Sequence, residues 1–386
     1  MHFNFARYDG AAMSHPQRDV LAHLHVLDIS QLLPGPCAAQ ILGDLGARVI
    51  KVEPPQGDGG RQILGGLFSA ANRNKRSLAL DLKSEAGRAD FYEVARAADV
   101  IIEGYRPGVV DRLGIGYAQV AAVHPTIVYC SVSGYGQDGV NSHVPGHDIN
   151  YLAASGALSF PGHWGEKPRR PGVPMADVAA ASYAVIAILA ALGERDRTHQ
   201  GCHLDVSMTD VMSGWAAVRG GARLERSADD RRHLYPTNDI FMTKDERWLA
   251  VGAVEERFWE ELKHVLSTDE PRLTDRRFVG LEARLEHGDE VHSLLSGVFA
   301  RHSLETWIAR FEHTDVPVSA VQSLEEVADR EASTGRGIMQ EVDGERHIVF
   351  PVRMDGVVMG RLRSKSPGLD DSGAALRRGD DAWAES

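Results

Sequence analysis

The chain is poor in cysteine: Cys37, Cys130 and Cys202 are the only three in 386 residues, and they lie far apart. No CxxC pair exists, so neither a structural zinc site nor a disulfide framework is expected. This usage suits a reducing cytoplasm. An excess of positive charge is also missing. Acidic residues outnumber basic ones 54 to 42, for a formal net charge of −12. That argues against nucleic acid or an anionic membrane as the main partner, while leaving room for an anionic small ligand in a local basic pocket. No apolar run reaches the length of a membrane span. The most apolar window, from Val178 to Leu192, contains Ser182 and Tyr183 and falls short of roughly 18–20 residues. It reads as a buried helix, and no membrane insertion is expected. Residues 1–20 lack the apolar core of a signal peptide. With Met13 as an alternative start, residues 1–22 read as a flexible tail.

Several chemical signatures are missing as well. The first expected strand is followed by Ser30-Gln31-Leu32-Leu33-Pro34-Gly35-Pro36. That turn is not GxGxxG, so a dinucleotide cofactor is not expected. The loop Gly134-Tyr135-Gly136-Gln137-Asp138-Gly139 has no Walker lysine or serine, so it suits admitting or covering a ligand better than phosphate transfer. No GxSxG nucleophile elbow is present. Pro145-Gly146 separates His143 from His147, which denies them the shared helical face of an HExxH zinc site. No metal site and no internal repeat are expected.

What is present is an ordinary globular composition, 43% hydrophobic and 25% charged, in a chain long enough for two domains. Short β-rich runs at 25–29, 48–52, 78–82, 99–102 and 126–132 alternate with helical patterns at 36–45, 84–97 and 117–123. Such alternation predicts parallel βαβ units. Helices over 148–157 and 175–195, a strand over 203–206 and a helix to about 223 follow. The hairpin over 239–253 turns at Lys244-Asp245-Glu246-Arg247, and helices are expected at 255–266, 288–300 and 303–313. The fold class is therefore α/β. Residues 23–224 form a large domain with a parallel sheet of Rossmann-like type, 225–234 a charged linker, and 235–330 a smaller α+β domain. The segment 331–386 is expected to return to the large domain.

Four features invite chemistry. His147 stands before the helix that opens at Asp148. An imidazole there titrates near physiological pH, although capping or packing is the ordinary role of such a histidine. Asp177 heads the alanine-rich helix. It is either a helix-stabilising acid or a carboxylate at the rim of a cavity, where burial raises its pKa. Glu255 opens the helix after the 248–254 strand and is either a cap or a partner for the histidine. The basic run Asn72-Arg73-Asn74-Lys75-Arg76, with Lys83, Arg88, Arg106 and Arg112, suits a phosphorylated ligand. Taken one at a time, these cations also fit a solvated surface.

The sequence resembles the family III CoA-transferases over about residues 24–260. The resemblance rests on Val26-Leu27-Asp28, Pro34-Gly35-Pro36, Leu42-Gly43-Asp44-Leu45-Gly46-Ala47 and Ile50-Lys51-Val52-Glu53. Asn74-Lys75-Arg76-Ser77, Arg106-Pro107-Gly108, Arg112-Leu113-Gly114 and Ser133-Gly134-Tyr135-Gly136 complete it. Gly146-His147-Asp148-Ile149-Asn150-Tyr151 looks like the α-methylacyl-CoA racemase branch, since the transferases commonly carry an aromatic residue where His147 stands. The resemblance implies His147 and Asp177 as a proton-transfer pair assisted by Glu255. It implies thioester support around Asp148 and Tyr151, and CoA contacts from Lys83, Arg106, Arg112, Arg76 and Leu80. It also implies an interlocked homodimer, with CoA as the substrate's handle and no cofactor. The rival it implies is CoA transfer through an acyl anhydride on Asp177. Pro54 stands where some members carry arginine, and Val178-Ala179-Ala180-Ala181 replaces the usual glycines after the aspartate.

Overall fold

The computed structural model describes residues 19–63, 66–167, 169–220, 234–377 and 382–383. Most of the expected tail and of the charged linker (residues 1–18 and 225–233) lies outside the described residues.

The elements run in chain order: β1 His25–Asp28, α1 Pro34–Asp44, β2 Arg48–Glu53, α2 Gly60–Ile63, α3 Leu67–Asn72, β3 Lys75–Ala79, α4 Glu85–Ala95, β4 Val100–Glu103, α5 Val109–Leu113, α6 Tyr117–Val123 and β5 Val128–Ser133. Then come α7 Asp148–Ala154, α8 Met175–Thr198, β6 Cys202–Ser207, α9 Met208–Gly220, β7 Asn238–Met242, β8 Trp248–Gly252, α10 Glu256–Leu266, α11 Leu281–Glu286, α12 Gly288–Phe299, α13 Leu304–Phe311, β9 Val318–Ala320 and α14 Leu324–Thr334. The hairpin β10 Met339–Val342 and β11 Glu345–Ile348 follows.

Contacts divide the chain into two compact units. One holds the described residues up to Pro145, Asp177–Met208 and those from Glu331 onward; the other holds Gly146–Ala176 and Thr209–Arg330. The cuts therefore fall before α7, at the head of α8 and at the start of α9, so that Gly146–Ala176 and α9 from Thr209 onward belong to the second unit and not to a large domain running from 23 to 224.

In the first unit, six strands form a sheet in the order β3-β2-β1-β4-β5-β6, every neighbouring pair parallel. Strands covered on both faces need continuous apolar or satisfied side chains. Accordingly, all four residues of β4 and all six of β5 are buried. Leu27, Ile50, Ile101, Tyr129 and Phe91 pack into one core. Helix starts follow local chemistry: Pro34 opens α1, where its missing N–H costs nothing, and the Ser84 hydroxyl accepts from Gly87 N–H at 2.9 Å to cap α4.

Two local expectations shift. The third strand begins at Lys75, not Leu78, because the charge that argues against a buried strand is matched: Lys75 Nζ lies 2.8 Å from Asp28 Oδ2. The apolar helix α8 has 24 residues and is, by length and composition, long enough to cross a membrane, which corrects the shorter sequence reading. Its Ala179, Ala180, Ala184 and Ile188 are buried in the fold, as in a core helix.

The second unit is built on the antiparallel sheet β7-β8-β9. Helix α10 buries Phe258, Trp259, Leu262 and Leu266, a spacing that places them along one helical stripe. They pack in one core with Leu295, Phe299 and Trp307. Asp239 on β7 ties the segment after α7 to this unit. It accepts from the Trp164 N–H at 2.8 Å and bonds His163 Nδ1 at 2.7 Å and His292 Nε2 at 3.1 Å. Its own burial opposes ionisation, but these donors outweigh it and hold the carboxyl at about 2.

Candidate active site

The reversal of strand order in the first unit falls between β1 and β4. The chain leaves these two strands in opposite directions, which opens a crevice beyond their carboxyl ends. A cleft of about 460 Å³ occupies this edge. Gln31 after β1, Pro54 after β2, Leu80 and Lys83 after β3, and Tyr105 after β4 line it. Gln31 Nε2 donates to the Tyr105 hydroxyl at 3.2 Å. Leu80 and Lys83, two of the residues that the sequence reading names for CoA, line this cleft. Arg106, next to Tyr105, is exposed, as is Arg112 on α5, between cleft-lining Val109 and Leu113.

Arg76 is engaged elsewhere. Its guanidinium donates to Ser372 Oγ at 2.8 Å and to the Ala382 carbonyl at 2.7 Å. The rest of the 72–76 cluster is equally committed within the unit. Arg73 meets Asp44 at 2.7 Å. Lys75 Nζ also bonds Pro36 O and Asn72 Oδ1 at 2.8 Å each. Burial, opposed by Asp28 and reinforced by Lys51, brings Lys75 down to about 8. Lys51 is fully buried, with Asp58 at 2.8 Å and Asp28 at 3.8 Å. This run of cations is a structural knot, each charge engaged by partners within the unit. Gln31 and Tyr105 escape the sequence reading. Their signal was positional, since each follows one of the two strands that flank the reversal.

In the second unit, His147 is the exposed N-cap of α7, and its N–H donates to Asn150 Oδ1 at 3.0 Å. Asp148 is 5% exposed. Its Oδ1 accepts the Ala176 N–H at 2.8 Å, which joins the residue after His147 to the residue before Asp177. Its Oδ2 is buried without a hydrogen-bond partner. The Tyr151 hydroxyl donates its single proton to the Gly146 carbonyl at 2.6 Å, so it braces the turn before His147. Glu255 is the exposed N-cap of α10, and its side chain makes no capping bond. It is therefore available for a role other than the cap.

In the first unit, Asp177 stands half-buried in the first turn of α8. It lies within electrostatic range of Cys37 in α1. Burial pushes that thiol up, Lys75 and Arg73 oppose the rise, and Asp44 and Asp177 add to it. Among the described residues, no group of three or more His, Cys, Asp or Glu side chains could hold a metal ion.

Comparison with known proteins extends this picture. The model of CoA-transferase family III matches residues 21–372. An acetyl-CoA:oxalate CoA-transferase of Acetobacter aceti is 33% identical over 92% of this chain and 94% of its own. An alpha-methylacyl-CoA racemase of Homo sapiens is 33% identical over 82% of this chain and 81% of its own. The crystal structure of a CAIB/BAIF family protein from Brucella suis superposes with a TM-score of 0.82 at 28% identity, covering 92% of this chain and 98% of that one.

Proposed function

The chain belongs to CoA-transferase family III, and from that premise we propose that it is an acyl-CoA racemase or epimerase acting on a 2-methylacyl-CoA. Members of this family are enzymes of acyl-CoA chemistry, and relatives of this chain carry the names of both racemases and CoA-transferases. The observation that carries the racemase reading is His147, an exposed imidazole at the head of α7, where the transferases commonly carry an aromatic side chain.

The α-proton of a thioester is weakly acidic, so its removal needs a base and a stabilised enolate. In this reading His147 takes the proton from one face of the α-carbon and Asp177 returns one to the other face. The two roles exchange for the opposite enantiomer. A positioned proton acceptor contributes about 10²–10⁴-fold. Glu255 assists the imidazole, and backbone N–H groups at the start of α7 receive the thioester oxygen. The Asp148 carboxylate is turned to Ala176 and supports this arrangement only by holding the backbone. The CoA moiety occupies the cleft beside Leu80, Lys83 and Tyr105, with Arg106 and Arg112 facing its phosphates. The reaction needs no cofactor.

A CoA-transferase reading keeps the same fold and is favoured by the names of several relatives. There Asp177 attacks the thioester, expels CoA and forms a mixed anhydride, while His147 stands aside. Incubation of 2-methylacyl-CoA in deuterated water separates the two. We expect deuterium at the α-carbon with the native protein, and a loss of about 10²-fold or more in His147→Ala and in Asp177→Asn. Absence of exchange, together with CoA passing to a free carboxylate and a hydroxylamine-trapped adduct on Asp177, would overturn the racemase reading.

A further inference from the structure

Behind the wall of the cleft, side chains from three adjacent strands form a hydrogen-bonded line. Glu103 ends β4 and is 1% exposed. Its Oε2 accepts from the N–H of Tyr105 at 2.7 Å, and Tyr105 lines the cleft. The same carboxyl bonds the hydroxyl of Ser131, its register partner on β5. Ser131 Oγ lies 2.9 Å from His203 Nε2. His203 lies on the edge strand β6, its ring partly covered by stacking on Tyr117 at 5.2 Å. None of these groups takes part in the proton transfer proposed above.

Two hydrogen patterns fit the same heavy atoms, because a hydroxyl both donates and accepts. With Glu103 ionised, Ser131 donates to it and His203 Nε2–H donates to Ser131. With Glu103 protonated, the acid donates to Ser131, and Ser131 donates to a bare Nε2. The line reverses without displacing a residue. Burial lifts the Glu103 carboxyl to about 7 against the Ser131 and Tyr105 bonds, with Asp111 and Asp205 adding to the rise. Burial lowers His203 against the pull of Asp205 and Asp111. Among the other titratable neighbours, the Tyr105 and Tyr129 hydroxyls and the Cys130 thiol are pushed up by burial and stay neutral.

We propose that Glu103 is a positioning residue for the CoA cleft: ionised, it holds Tyr105 by a charge-assisted hydrogen bond, and protonated, by a weaker one. The inference rests on the reading that this cleft receives CoA. Hydrogen bonds to ionised groups are about twice as strong as neutral ones. The turn that carries Tyr105 is therefore firmer above neutrality than below it, and CoA affinity falls as the carboxyl takes up its proton.

The test is isothermal titration of the full chain with CoA between about pH 6 and about pH 8.5, in the native protein and in Glu103→Gln. The glutamine accepts from Tyr105 and donates to Ser131, which reproduces the protonated pattern at every pH. The ratio of the two dissociation constants cancels the titration of the ligand's own phosphate. We expect a ratio near one at the acid end, rising to about three- to tenfold at the alkaline end. Ser131→Ala removes a donor that favours the ionised form, so in that background the rise moves to higher pH. A ratio that does not change with pH, or one that falls as pH rises, overturns the inference. Failure of the native protein to bind CoA at any pH would instead defeat the functional reading on which it rests.

Discussion

Gly146 leaves no room for a methyl group. A Cβ built there would lie 2.7 Å from Tyr151 Cε1, because the Tyr151 ring folds back along the glycine to reach its carbonyl. The Gly-His-Asp run is thus a packing solution: the glycine admits the tyrosine, and the tyrosine fixes the turn that carries His147. Gly146→Ala is expected to cost about 1–3 kcal/mol, as overpacking does, seen as a lower melting temperature. If that turn positions the imidazole, isotope exchange should fall by more than substrate binding does. An alanine variant with native stability and native exchange would show that the turn has slack. At this scale the sequence was informative about identity and silent about partners. His147, Asp177 and Glu255 could be singled out by residue type and helix position. The bond from Asp148 to Ala176 crosses 28 residues, and no local pattern announces it.

At the scale of elements, the alternation of apolar runs and helical periods was enough to anticipate the βαβ order, because both depend on neighbours two to four residues away. The segment 72–76 shows where such reading stops. Its charges look available in sequence because their counter-charges are remote: Asp44 for Arg73 and Asp28 for Lys75. Asn74, in a left-handed conformation at φ +60°, fastens the returning C-terminal segment. Its Nδ2 donates to Asp44 Oδ1 at 2.8 Å and to the Arg361 carbonyl at 2.7 Å. Its Oδ1 accepts from the N–H of Arg363 at 2.7 Å and of Ser364 at 3.2 Å. Asn74→Ala loses all four bonds and places alanine where asparagine is better tolerated. We expect a loss of about 2–4 kcal/mol, with amide exchange accelerating first at Arg363 and Ser364, whose N–H groups donate to Asn74. Uniform acceleration across the sheet, or none, would mean that this segment is held mainly by other contacts, such as the stack of Trp383 on His25 at 4.5 Å.

For the whole molecule, composition and charge say nothing of assembly. The six-stranded parallel sheet follows from apolar strand patterns; the surface it leaves does not. Helix α8 exposes Tyr183 at 43%, Ile186 at 62% and Leu189 at 39%, a spacing of three that lines them along one face. Helix α9 exposes Trp215 at 42% and Val218 at 85%. Large apolar side chains scattered singly are ordinary on a surface, but a row on one helix face is a mark of association. Together with the interlocked homodimer that the family resemblance implies, this supports a second copy of the chain as the occupant. We expect light scattering to give twice the mass of the 42.1 kDa chain at micromolar concentration. Ile186→Glu should destabilise that dimer, because it buries an unpaired carboxylate. If loss of isotope exchange tracks loss of the dimer, each active site needs both copies. A monomeric variant with undiminished exchange would show that one chain carries a complete site, and the apolar row would then need another explanation.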